Sequence, residues 1–224
     1  MDLDADGKLA TWLMDFVAEV PSTVKVHGMD IEGKRFPQSH PDNVSFSVGS
    51  VLSLPQDWTS KFDLVHQRLV MAALRREDWP VAIGEIHRVL KPGGWVQLGE
   101  YGFWGFNIGP WTDKLFRLYS LLYKQNGLVL RVHAEIPDML REAGFTSVNT
   151  ERRGYPWGGA KGKEGRDCLV EHFRSVKAQI MRFGGLGLVK SDDEIEELIL
   201  NMEKEVEHAD GAEAEIMYTW AQKA

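Results

Sequence analysis

Five side chains stand where short apolar runs of this chain end: Asp30, Ser50, His66, Glu100 and Tyr101. Each has its own chemistry. A carboxylate at position 30 can accept hydrogen bonds from both hydroxyls of a ribose, or it is a strand-terminating acid facing water. Ile31 adjoins it, and Ser50 and Val51 form a turn with Gly49. The His66 imidazole has an ordinary pKa suited to proton transfer, or it packs as a cofactor-side or structural histidine. Glu100 and Tyr101 can orient a substrate hydroxyl. In an open parallel sheet, ligands sit outside the carboxyl ends of the strands near the switch in strand order, so all five would share one edge.

The elements that must position them follow from apolar periodicity. Strand-like runs alternate with helical ones, the pattern of an α/β sheet with crossover helices. Residues 9–19 read as a helix, and 24–31, 43–51 and 62–67 as strands. WPVAIGEIHRVL (79–90) is amphipathic, with Val81, Ile83, Ile86, Val89 and Leu90 as its apolar positions, and it stops at Lys91-Pro92-Gly93-Gly94. GWVQLGEY (94–101) returns as a strand. The aromatic stretch that follows is a loop leading into a helix, then come a short helix at 134–144 and a strand at 145–153. The Gly-rich segment 154–165 reads as a flexible loop. Ser191 and Glu194 form a capping box for the helix DDEIEELILNMEKEVEH, and EIMYTWAQK closes the chain as a strand. The later half adds strands and helices to the same sheet, so 1–224 reads as one domain with its core at about 1–101.

Bulk properties bound the function. With 224 residues, 43% hydrophobic and 26% charged, the chain has the profile of a soluble globule with a sizeable core. The net charge of −7 argues against broad nucleic-acid or anionic-membrane binding. A single cysteine, Cys168, excludes an internal disulfide and fits a reducing compartment. With no signal peptide and no long apolar run, a cytoplasmic protein is expected. The seven histidines show no metal-ligand spacing, so no metal is expected.

The opening MDLDADGKLATW places Asp2, Asp4, Asp6 and Gly7 like the start of a calcium loop. The twelfth position of that loop needs a bidentate acid, and here it is Leu13.

FDLVHQRLVMAAL and WPVAIGEIHRVLKPGGWVQLGEY resemble the late core motifs of class I S-adenosylmethionine (SAM)-dependent methyltransferases, nearest to those of fungal secondary metabolism. YPWGGAKGKEGRDCLVEHF and MYTWAQKA are similar to the C-terminal region of that group. The resemblance covers roughly residues 4–222 and is most specific over 62–101. It implies a Rossmann-like, mostly parallel sheet flanked by helices, with SAM over its carboxyl edge, and a shortened N-terminus. It implies cofactor contacts from Asp4, Asp6, Gly7, Asp30, Ile31, Ser50, Val51 and His66.

Three departures stand out. Anchored on Trp12, Asp4 falls on the acid of the family's D-x-G-x-G-x-G turn, but Asp6, Lys8 and Ala10 fall on its glycines; shifting the frame to use Gly7 restores one. Side chains there add steric cost where the backbone must approach a ligand. Ser50 stands where the family often has an acid for the adenine amino group. Upstream helices that often cover the substrate are absent, so a partner or a second copy covering the N-terminal edge is one expectation.

Trp104, Phe106 and Trp111, with Phe103, would wall an apolar substrate pocket, or form core under a helix. His133 precedes a helix and would reach over that pocket, and Trp157 would sit on a mobile loop beside it. The expected activity is methylation of a small-molecule secondary metabolite, on oxygen. The alternative is a fold that no longer methylates, and instead rearranges, cyclises or isomerises a substrate or regulates a protein partner. The glycine losses favour the alternative; Asp30 and the 62–101 block favour methylation.

Overall fold

The computed structural model describes residues 11–104 and 108–224. It is an α/β fold whose strands fall, among the described residues, into two sheets. The first pairs β1 (Val26–Asp30) with β2 (Val44–Val48) in parallel, putting Asp30 opposite Val48. The second has the order β3-β4-β6-β5, built from β3 (Phe62–Arg68), β4 (Leu90–Trp104), β5 (Phe145–Pro156) and β6 (Glu213–Lys223). β3 and β4 are parallel; β6 runs antiparallel to both β4 and β5.

Helix α1 (Thr11–Glu19) joins the two sheets. Gly28 of β1 has no side chain, and a Cβ there would lie 2.6 Å from the Phe46 ring and 3.0 Å from Leu13. The glycine therefore lets β2 and α1 close on β1. One residue earlier on α1, Trp12 lies against His66 of β3.

Helix α2 (Asp78–Val89) buries Trp79, Ala82, Ile83, Ile86 and Val89, the i, i+3, i+4, i+7 stripe of a helix packed by one face. Val81 was expected on that stripe but is exposed; it sits about 200° around the helix from both Trp79 and Ile83. Lys91 to Gly94 leave the β3–β4 register between the Phe62–Leu90 and Leu64–Trp95 pairs, and Gly93 takes φ of +76°, so the turn read from the sequence lies within the span of β4. Helix α3 (Pro110–Gln125) buries Leu115, Leu118, Tyr119, Leu122 and Tyr123. Helix α4 (Ile136–Glu142) packs on α2 and on β5.

The segment 154–165, expected as a loop, is mostly regular. β5 runs on to Pro156 because β6 pairs with it as far as Glu213, and α5 (Lys163–Ser175) begins within the Gly-rich stretch. After the short α6 (Lys177–Arg182), helix α7 (Asp192–Glu207) starts at Ser191, whose Oγ accepts the Glu194 N–H at 3.2 Å. Glu194 answers by accepting the Lys190 N–H at 2.8 Å, one residue before the usual capping-box partner. α3, α5 and α7 pack on one another, and no described helix is long and apolar enough to cross a membrane.

Candidate functional site

Asp30 ends β1, and its backbone carbonyl accepts the Gly49 N–H at 2.9 Å, tying the end of β1 to the turn after β2. Its Oδ1 accepts the Glu32 N–H at 2.9 Å, fixing the carboxylate as in an Asx turn. Among the described residues, no donor reaches its second oxygen. Ser50 Oγ accepts the Leu52 N–H at 3.2 Å, leaving its own proton to donate. Val51 packs on the main core, and Ile31 is 70% exposed. Asp30, Ile31, Ser50 and Val51 thus gather at the carboxyl end of the parallel β1–β2 pair. A fixed carboxylate with one open oxygen beside a hydroxyl donor suits the sugar and base of a nucleoside.

His66 lies within β3, which runs two residues further to Arg68, so it is not the strand end expected. Its register partner is Gln97, and Nδ1 bonds Gln97 Oε1 at 2.9 Å. Trp12 stacks on the ring with centroids 3.5 Å apart and planes within 13°, and Phe16 stacks behind Trp12 at 5.3 Å. Nε2 is buried with no partner among the described residues. Burial pushes the His66 pKa down to about 4. At neutral pH the imidazole is unprotonated and a weak proton acceptor.

Glu100 and Tyr101 also fall short of a strand end, since β4 continues to Trp104. Glu100 is fully buried, and its two oxygens accept the backbone N–H groups of Val70 at 2.9 Å and Met71 at 3.2 Å. Leu69, which precedes them, takes the left-handed φ of +55° and donates its own N–H to Gly99 at 2.8 Å. Glu100 is therefore the fastening for the turn that leaves β3. Burial raises its pKa to about 7 against the two N–H donors, which pull it down. Burial pushes the Tyr101 hydroxyl up to about 12. His133 lies in the short 3-10 turn Val132–Ala134, which packs on β4, and burial lowers its pKa.

The aromatic candidates separate. Trp157 is 2% exposed and tilted on Phe116, so it is core under α3 and not on an open loop. Trp111 is 41% exposed at the start of α3, where its N–H and that of Thr112 donate to Glu205 of α7. The Trp104 backbone pairs with Ala214. Asp4, Asp6, Gly7 and Phe106 lie outside the described residues.

Sequence reasoning missed a buried polar row. Tyr119 and Tyr123, one turn apart on α3, have their hydroxyls 2.9 Å apart, and His172 Nε2 of α5 lies 2.7 Å from the Tyr119 hydroxyl. The i, i+4 tyrosine pair was visible, but only the packing of α3 and α5 shows that it faces inward. Among the described residues, no cluster of histidine, cysteine and carboxylate side chains has the form of a metal site.

The methyltransferase domain family matches residues 6–94. The chain is 35% identical over 150 residues to N-methyltransferase verN of Clonostachys rogersoniana, covering 66% of this chain and 51% of that protein. It is 29% identical over 205 residues to N-methyltransferase sirN of Leptosphaeria maculans, covering 88% and 72%. The match therefore spans about half the length of verN. Among solved structures, phosphoethanolamine N-methyltransferase 2 of Haemonchus contortus, in complex with phosphomonomethylethanolamine and S-adenosylhomocysteine, superposes with a TM-score of 0.53 at 18% identity. That superposition covers 92% of this chain and 45% of the other. The family match over residues 6–94, these relatives and the superposition agree: the chain is similar to SAM-dependent methyltransferases, and its α/β fold is the one that they share.

Proposed function

We propose that the chain is the catalytic domain, or the larger part of it, of an enzyme that methylates a small secondary metabolite from SAM. The observation that carries this is the Asp30 carboxylate, held by the Glu32 N–H with its other oxygen open, next to the Ser50 hydroxyl. Asp30 would hold the ribose hydroxyls and Ser50 and Val51 the adenine edge, with His66 as a wall of the site. Bound there, SAM supplies an activated methyl group on a sulfonium. The protein's contribution is then proximity and orientation, the main source of rate in an in-line displacement. His66, held near pKa 4, is assigned to packing and not to proton abstraction. The names of verN and sirN support nitrogen as the acceptor in place of the oxygen expected from the sequence.

A second reading, a fold that no longer transfers methyl, draws support from Trp12, which lies flat on His66 where a cofactor wall would be. Isothermal titration with SAM decides between them. Micromolar binding that weakens by about 1–3 kcal/mol in Asp30→Ala supports the methyltransferase. No binding at millimolar SAM supports the second reading.

A further inference from the structure

Arg166 of α5 is 6% exposed, yet among the described residues no carboxylate pairs with it. Buried charges are ordinarily paired or bound to a ligand, because a guanidinium taken out of water loses its hydration. Nη1 donates to the backbone carbonyls of Trp157 at 3.1 Å and Gly159 at 3.2 Å, which fixes the plane of the group. Nε and Nη2 have no partner among the described residues, and neither is sealed from solvent. What stays open is therefore the Nε–Nη2 edge, two parallel N–H donors spaced for the two oxygens of one carboxylate.

The surroundings of that edge are positive. Arg166 is the fourth residue of α5, and helical side chains lean toward the N-terminus, so the guanidinium lies beside the first turn. Gly162 at the N-cap brings no side chain to the orphan N–H groups there, and the helix dipole adds positive potential. Lys161 is exposed just ahead with no ion pair among the described residues, whereas Lys163 pairs with Asp167 at 2.6 Å. Asp210 reaches Gly159, its Oδ1 3.0 Å from where a Cβ would stand, but does not pair with Arg166. The chain before α5 is held firmly, with the Trp157 and Gly158 N–H groups donating to the Ala212 carbonyl at 3.1 and 2.9 Å. It leaves the sheet beside the carboxyl end of β4, since Ala214 pairs with Trp104 on one side and Tyr155 on the other. Ligands of parallel strands sit at such an edge.

We propose that the Nε–Nη2 edge of Arg166 and the first turn of α5 form a binding site for a carboxylate. Resting on the methyltransferase reading, that carboxylate belongs to the methyl acceptor. Arg166 grips it through two donors and Lys161 draws it in from solvent.

Sodium acetate tests the site, titrated in place of chloride at constant ionic strength and followed by amide NMR of Lys163, Glu164 and Gly165. Those signals are expected to shift saturably, with half-saturation on the order of 10 mM or below. Arg166→Lys keeps the charge and loses the two-donor edge, so acetate should bind at least about fivefold more weakly. Lys161→Ala, at an exposed position, should weaken it by about twofold. Wild-type shifts that rise in proportion to acetate without saturating up to about 200 mM overturn the site, whatever the variants do. Inorganic phosphate binding as tightly as acetate overturns it too, because attraction to charge alone would then suffice, and so does undiminished acetate binding in folded Arg166→Lys. Isothermal titration of the same wild-type protein with SAM keeps the two ideas apart. Saturable acetate without SAM binding retains the carboxylate site and removes the methyl acceptor as its ligand. SAM binding without saturable acetate removes the site and leaves the methyltransferase reading in place.

Discussion

Trp12 lies flat on His66, and this contact ties α1 to β3 across the break between the two sheets. It also covers one face of an imidazole whose Nε2 is already buried. Trp12→Ala is expected to let water reach the ring and raise its pKa from about 4 toward 6.5, read from the imidazole C–H shift by NMR. Loss of the stacked pair should cost on the order of 1 kcal/mol beyond the buried area. An unchanged His66 titration would show that β3 and β4 alone keep the ring dry.

The two neutral histidines predict a pH dependence of stability. His66 and His172 have folded pKa values of about 4 against an ordinary 6.5. Between those values the unfolded chain binds more protons, so stability rises with pH and is lost on acidification, by up to about 3 kcal/mol for each group. Glu100 acts in the opposite sense. With a folded pKa of about 7 against 4.5, the folded chain holds the extra proton, and this contribution declines as pH rises through that window. Urea midpoints should therefore fall as pH drops from about 6.5 to about 4, because the single glutamate offsets only one of the two histidines over most of that range. His66→Phe should flatten that acid limb.

Glu100 makes a sharper mutational prediction. Glu100→Ala leaves the Val70 and Met71 N–H groups without acceptors inside the protein. At about 1–3 kcal/mol for each stranded donor, the loss should reach roughly 2–5 kcal/mol in urea unfolding. Glu100→Gln keeps one acceptor and should lose less. Equal losses in the two variants would mean that the turn after β3 finds other acceptors.

What was legible in the sequence was whatever depends on local periodicity. The stripe of α2, the strands around His66 and Glu100, and the Ser191 cap all follow from residues within a turn or two of one another. Asp30 and Ser50 were placed correctly at the end of β1 and just after β2 for the same reason. The roles of His66, Glu100 and Trp157 depend on partners 31, 30 and more residues away, and no local pattern encodes those distances. Trp12 was visible as a motif anchor, but the ring it lies on could be found only once α1 and β3 were packed. Trp157 misled because glycines beside an aromatic read as a loop, whereas β6 recruits that segment into the sheet edge.

Glu205 illustrates a long-range partner that also carries a prediction. The first turn of α3 has orphan N–H groups, and Gly109 at its N-cap has no side chain to satisfy them. Glu205, from the last turns of α7, supplies the acceptor: Trp111 N–H reaches Oε1 at 3.2 Å, and Thr112 N–H and Oγ1 reach Oε2 at 2.7 and 2.5 Å. The carboxylate also meets the positive end of the α3 dipole. Glu205→Ala should therefore destabilise the protein by about 2 kcal/mol and raise hydrogen exchange in residues 111–115 before it does so elsewhere. Because Tyr119 and Tyr123 lie further along the same helix, fraying confined to its first turn should leave hydrogen exchange at residues 119–123 unchanged. Faster exchange there too would show that the cap sets the position of the tyrosine row as well as the start of the helix.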